Sequence, residues 1–195
     1  MKKIKVGMIG TGNISRTAHL PALASIAQTE VTGFFDINPE NAKAARDDYF
    51  RYLREENRDV KPETAVIYGS AEEMLKHVDA VDICSSLRYH AYYSAMALER
   101  GVHAMSEKPM ARTWLEAKQV VEAGKKSSAI FQLNDDNIFL PRYQALRNVV
   151  ESGMIGDVQN VWTARGSFSV SPRRSDWFYE AVESGGGCIF DYGSH

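Results

Sequence analysis

The sequence predicts an α/β protein, a doubly wound parallel sheet followed by an incomplete second α/β domain. Three observations predict it. Short apolar runs recur through the first 133 residues, stretches of helical period with clear caps separate them, and the rhythm changes beyond residue 133. Runs with no polar alternation are what strands buried on both faces of a parallel sheet look like. Repeated β-α alternation then implies a doubly wound domain, with its ligand crevice at the carboxyl ends of the strands.

The strands are expected at Ile4–Ile9, Val31–Asp36, Ala65–Tyr68, Ala80–Cys84, His103–Ser106 and Ala129–Leu133. Helix starts are marked by Asn38-Pro39, a capping side chain before a proline at the first helical position, and by Ser70-Ala71-Glu72-Glu73 and Thr113-Trp114-Leu115-Glu116, which fit capping boxes. Gly101 reads as a helix-ending glycine. The charge-rich stretch from Leu53 to Thr64 reads as a solvated helix end and loop. Residues 1–133 thus form one domain and 134–195 the start of another, with a helix over Pro141–Ser152 ended by Gly153 and one long strand over Val158–Val170. A lone strand makes no sheet, so the second unit reads as incomplete, and its exposed edge is a liability for aggregation.

Composition narrows the function. With 195 residues, a net charge of −2 and 25% charged against 44% hydrophobic residues, the chain has the profile of a soluble globular protein. Nucleic-acid binders gather a basic excess on one face; here Arg173-Arg174 is the only adjoining basic pair with aromatic company, Trp177, Phe178 and Tyr179. No apolar stretch approaches the roughly 20 residues of a membrane helix. Met1-Lys2-Lys3 imitates the start of a signal peptide, but Gly10-Thr11-Gly12-Asn13 interrupts any apolar region behind it. Two cysteines, Cys84 and Cys188, are too few for a disulfide framework, and a cytoplasmic location is expected.

Chemistry-bearing residues fall at strand ends. Ile4–Ile9 runs into Gly10-Thr11-Gly12-Asn13-Ile14-Ser15, where Gly10 allows a tight turn and Gly12 lets backbone N–H groups approach a pyrophosphate. Ser15 stands where the strictest fingerprint has a third glycine or an alanine. Asp36 ends the second strand; a carboxylate there accepts from both adenine-ribose hydroxyls and repels a 2′-phosphate, which favours NAD over NADP. Glu107-Lys108-Pro109 follows the fifth strand, and a lysine there can polarise a substrate oxygen. Asp191 and His195 stand four apart, so in a helix they share a face and can serve as proton acceptor and partner. His90 follows the fourth strand as a possible cofactor contact, His19 and His77 read as structural or surface residues, and no metal is expected. Arg173 and Trp177 could reach a polyol.

These segments resemble the Gfo/Idh/MocA oxidoreductases, the family of glucose–fructose oxidoreductase and inositol dehydrogenase. The matching pieces are Gly10-Thr11-Gly12-Asn13-Ile14, Asp36-Ile37-Asn38-Pro39, Val81 to Ser86 with His90, Gly101-Val102-His103, Glu107-Lys108-Pro109, Gly153-Met154-Ile155-Gly156 and the Gly185-to-His195 segment. They occur in family order over nearly the whole chain. The resemblance implies a Rossmann domain binding NAD or, less favoured, NADP, then an α/β domain for substrate and for homo-oligomer contacts. It implies Lys108 as catalytic lysine, Asp191 and His195 as the substrate-side pair, and Ser85, Ser86 and Glu107 lining the cofactor crevice. The implied reaction takes a hydride from a secondary alcohol of a sugar or cyclitol. Family members extend past the Asp-x-x-x-His motif, so the chain is expected to be C-terminally truncated and to turn over poorly by itself. A non-catalytic dinucleotide-binding regulatory module is the alternative, and a Rossmann methyltransferase a third reading in which Glu107-Lys108-Pro109 has no role.

Overall fold

The computed structural model describes residues 3–162, 164, 179–191 and 193–194. Six parallel strands form one sheet: β1 (Ile4–Ile9), β2 (Thr29–Phe35), β3 (Val66–Ile67), β4 (Ala80–Ile83), β5 (His103–Glu107) and β6 (Phe131–Asn134), in spatial order β3-β2-β1-β4-β5-β6. Each lies where an apolar run predicts it, with ends that differ by at most two residues. The order reverses between β1 and β4, so the chain leaves these two strands in opposite directions and a crevice opens at their carboxyl ends.

Neighbouring β1 residues show how both faces are covered. Met8 packs into a core with α1 (Leu20–Ser25) and α2 (Pro39–Glu55), whereas Ile9 packs with α3 (Ala71–Met74), β4 and α4 (His90–Glu99). Successive strand side chains point to opposite faces, so helices flank the sheet on both sides. A third cluster joins α4 to α5 (Trp114–Lys126) through Leu98, Val120 and Ala123.

Local chemistry explains the helices. Asn38 accepts the Glu40 N–H (3.1 Å) and Pro39 opens α2, whose buried Ala42, Ala45, Tyr49 and Leu53 recur on one face. Ser70 and Thr113 accept from Glu73 and Glu116 in the same way (3.2 Å each). The loop after α2 is less solvated than its charge suggests: the Arg58 guanidinium donates to the carbonyls of Ala24, Ile26 and Thr29, satisfying the end of α1. Met74 lies over the adjacent Gly7 and Gly33, where an added Cβ would stand 2.9 and 2.7 Å from its side chain.

Beyond β6 comes α6 (Pro141–Glu151), ended by Gly153 at φ +72°. The long strand expected over Val158–Val170 is not found across residues 158–162, which carry no strand; most of the remainder lies outside the described residues. An extended segment is held as a strand by ladder bonds, and residues 158–162 pair with none of the six strands. The chain returns with α7 (Ala181–Ser184) and α8 (Cys188–Asp191).

Among the described glycines, Gly10 leaves the least room for a side chain. It sits at φ +80°, and an added Cβ would stand 2.4 Å from the Ser85 backbone nitrogen. Gly10→Ala is expected to lower the thermal midpoint by roughly 5–15 °C, corresponding to about 2–4 kcal/mol. Gly153→Ala has positive φ with open space around it, so it should cost only about 1 kcal/mol. Thermal unfolding of both variants checks the contrast; equal effects would contradict it.

Candidate active site at the carboxyl ends of the strands

The chain turns out of β1 with the Gly10 N–H donating to Phe35 O and the Cys84 N–H to Ile9 O (2.9 and 2.8 Å). These bonds pin the glycine turn between the ends of β2 and β4. A Cβ added at Gly12 meets nothing within 4 Å, and Asn13 and Ile14 are exposed, so this side of the turn is open to a ligand. Asp36 stands beside it. Its Oδ2 accepts the Thr11 N–H and hydroxyl (2.7 and 3.1 Å), and its Oδ1 accepts from Asn38 N and Asn41 Nδ2 (2.9 and 3.3 Å). The carboxylate that suggests ribose recognition thus also organises the glycine turn.

At the end of β5, Lys108 projects toward the returning segment. Its Nζ donates to Asp191 O and Oδ1 at 2.7 and 2.9 Å, uniting the lysine and acid singled out from sequence. Further contacts hold this segment: Arg88 pairs with Glu183 (2.6 Å), and Arg112 donates to Val182 O. The Lys108–Pro109 peptide is cis. Buried His90 places Nδ1 2.8 Å from Pro109 O and Nε2 2.9 Å from Ser85 O, between the loops after β4 and β5. Burial lowers its pKa, and a neutral ring donates to only one of these carbonyls at a time. Ser86 follows Ser85 in the same loop, and the Ser85 hydroxyl donates to Ser86 O (3.3 Å).

Asp191 is the last described residue of α8, and the helical relation expected between it and His195 lies outside the described residues. His195, Arg173 and Trp177 lie outside the described residues. His77 is exposed and stacks on Tyr68.

Sequence reasoning missed a charged group beneath the crevice. His19 is buried with Nδ1 2.8 Å from Asp82 Oδ2 and Nε2 2.9 Å from Glu107 Oε1; Asn134 Nδ2 donates to the same Glu107 oxygen (2.8 Å). Burial alone would depress the His19 pKa, but its bonds to Asp82 and Glu107 raise it well above its ordinary value. Burial opposes ionisation of Glu107, yet its bonds to His19 and Asn134 hold its pKa below the usual carboxylate value. Burial and Asp82 push the Cys84 thiol up, keeping it protonated. One signal was available: Asp82 interrupts the apolar run Val81-Asp82-Ile83, and a buried charge requires a partner.

With this geometry in place, comparison with known proteins decides the family. The model for the oxidoreductase family with an NAD-binding Rossmann fold matches residues 4–135, and that for the GFO/IDH/MocA C-terminal domain matches residues 143–195. The chain belongs to the Gfo/Idh/MocA family. It is 26% identical to a dTDP-3,4-didehydro-2,6-dideoxy-alpha-D-glucose 3-reductase of Streptomyces violaceoruber, over 99% of this chain and 52% of the relative. It is 27% identical to the D-glucoside 3-dehydrogenase of Escherichia coli, over 98% of this chain and 51% of that protein. The crystal structure of myo-inositol dehydrogenase from Lactobacillus casei in complex with NAD(H) and myo-inositol aligns with a TM-score of 0.66 and 28% identity, covering 79% of this chain and 43% of that one. The chain therefore spans about half the length of these curated Gfo/Idh/MocA relatives.

The His19 charge has a consequence for stability. A raised folded-state pKa adds stability that is complete below the unfolded value of 6.5 and is lost progressively as pH rises toward the folded value. Between pH 7 and 8.5 the unfolding free energy is expected to fall by up to about 1.4 kcal/mol per pH unit. Chemical denaturation across that range checks it; stability constant with pH would contradict a protonated His19.

Proposed function

We propose that residues 1–133 form the dinucleotide-binding domain, and 134–195 the first part of the substrate and oligomerisation domain, of an oxidoreductase acting on a secondary alcohol of a sugar, cyclitol or related polyol. The observation that carries this reading is the meeting of Lys108 and Asp191 at the end of β5, on the same sheet edge as the open glycine turn. A purely regulatory module needs the glycine turn but not a lysine–carboxylate pair.

The residues fit a nicotinamide dinucleotide, since the space beside Gly12 is open at the start of a helical segment. Gly10, Gly12, Asn13 and Ile14 would hold the pyrophosphate, Asp36 the adenine ribose, and Ser85, Ser86 and Glu107 the inner wall, with His90 behind it. Asp36 favours NAD over NADP because its carboxylate repels a 2′-phosphate. When bound, the dinucleotide supplies the hydride acceptor. Lys108 donates a hydrogen bond to the substrate oxygen and stabilises the negative charge that develops there. Two of its three N–H donors go to Asp191, which sets its direction and leaves one for substrate. His195 takes the hydroxyl proton in this scheme, and Arg173 and Trp177 contact the polyol. The sparse cysteines, with Cys84 buried and free, support a cytoplasmic setting.

Two substitutions test the cofactor half with the 195-residue chain. Gly12→Ala should weaken NAD binding at least tenfold while leaving the thermal midpoint within about 2 °C. Asp36→Asn should narrow the preference for NAD over NADP by about tenfold or more. Calorimetric titration with both dinucleotides measures these effects; a wild-type chain binding neither would overturn the reading.

A further inference from the structure

His19, Asp82, Glu107 and Asn134 come from four places in the chain: the helical turn after the glycine loop, β4, and the ends of β5 and β6. An ionised carboxylate only accepts hydrogen bonds. A ring whose two nitrogens each face a carboxylate must therefore donate from both, as an imidazolium. The groups facing this ring are Asp82 and Cys84 from the β4 side, Glu107 from β5 and Asn134 from β6. Cys84 Sγ itself lies 3.6 Å from Asp82 Oδ1 as a thiol donor.

The arrangement continues toward Lys108. With Glu107 Oε1 occupied by His19 and Asn134, Oε2 accepts the Lys108 backbone N–H at 3.2 Å. One residue further, Pro109 O faces His90 Nδ1. Lys108 therefore springs from a backbone gripped on both sides, and its side chain ends on Asp191.

We propose that His19 is a positioning residue for Lys108: by bridging Asp82 and Glu107 it holds the Glu107 carboxylate against the Lys108 backbone and fixes the point from which Nζ reaches Asp191. The inference rests on the reading of Lys108 as the lysine of the reacting site. Without the imidazolium, two carboxylates are left with no cation between them, and one must take up a proton. A protonated Glu107 no longer offers the same acceptors to Asn134 and Lys108. Glutamine at position 19 cannot restore the bridge, because its amide carries no charge and turns an oxygen toward one carboxylate.

The test is NMR on the 195-residue chain labelled at lysine Nζ, histidine ring nitrogens and glutamate carboxyl carbons. The Lys108 signal is assigned by its loss in Lys108→Arg, and its dependence on the ion pair by its shift in Asp191→Asn. In the wild type both His19 nitrogens should carry protons at pH 8. In His19→Gln the Lys108 Nζ signal should move toward its position in Asp191→Asn, and the Glu107 acid dissociation constant should fall at least tenfold. A merely structural histidine would lower the thermal midpoint without moving either signal. A folded His19→Gln protein with wild-type Lys108 and Glu107 signals would overturn the proposal, as would a neutral His19 ring at pH 8 in the wild type. If His19→Gln does not fold, Asn134→Ala decides: it should shift both signals in the same direction by less, and no shift would overturn the proposal. None of these readouts uses a dinucleotide, so failure to bind NAD would sink the proposed function and not this inference.

Discussion

A buried aspartate in the middle of a parallel sheet is the constraint on which the rest of this structure turns. Asp82 is 1% exposed on β4, between two apolar neighbours. A carboxylate so placed persists only with a cation and hydrogen bonds to meet it. His19 supplies the cation, and because it stands at the end of the helical turn that follows the glycine loop, satisfying Asp82 docks that turn on the sheet. The same ring then reaches Glu107, and through it the Lys108 backbone. One electrostatic requirement thus ties the glycine turn to the lysine.

The backbone makes the same connection by another route. Gly10 lies so close to Ser85 that no side chain fits between them, and Ser85 O faces His90, whose other nitrogen faces Pro109 O. The turns after β1, β4 and β5 are therefore coupled both by close backbone approach and by two histidines. Reacting groups need to be held to within a fraction of an ångström, and sites on rigid elements achieve this better than sites on loops. Here Gly12, Ser85 and Lys108 sit on loops, and the buried histidines supply the rigidity.

The sheet was legible in the sequence because its strands are buried on both faces, which leaves continuous apolar runs such as Val6-Gly7-Met8-Ile9. Caps were legible because Asn38, Ser70 and Thr113 act on backbone groups two or three residues away. Lys108 and Asp191 were legible as motif residues, and the structure brings them together across 83 positions of chain. What stayed hidden depends on distant partners. A single histidine such as His19 carries no local pattern, and its partners lie 63 and 88 residues away. The expected helical relation of Asp191 to His195 runs through residues 192 and 195, which lie outside the described residues. The strand expected from Val158 failed across residues 158–162 because periodicity cannot supply a partner strand.

In the proposed function, the carboxyl edge around Gly12, Asp36 and Ser85 receives a nicotinamide dinucleotide. Amide chemical-shift mapping of the 195-residue chain during addition of NAD tests it most directly. Shifts are expected to concentrate at Gly10–Ile14, Asp36, Ser85–Ser86 and Lys108, with the opposite edge of the sheet around Asp79 and Val102 unmoved. Saturable shifts confined to that opposite edge, or none at any NAD concentration, would contradict it.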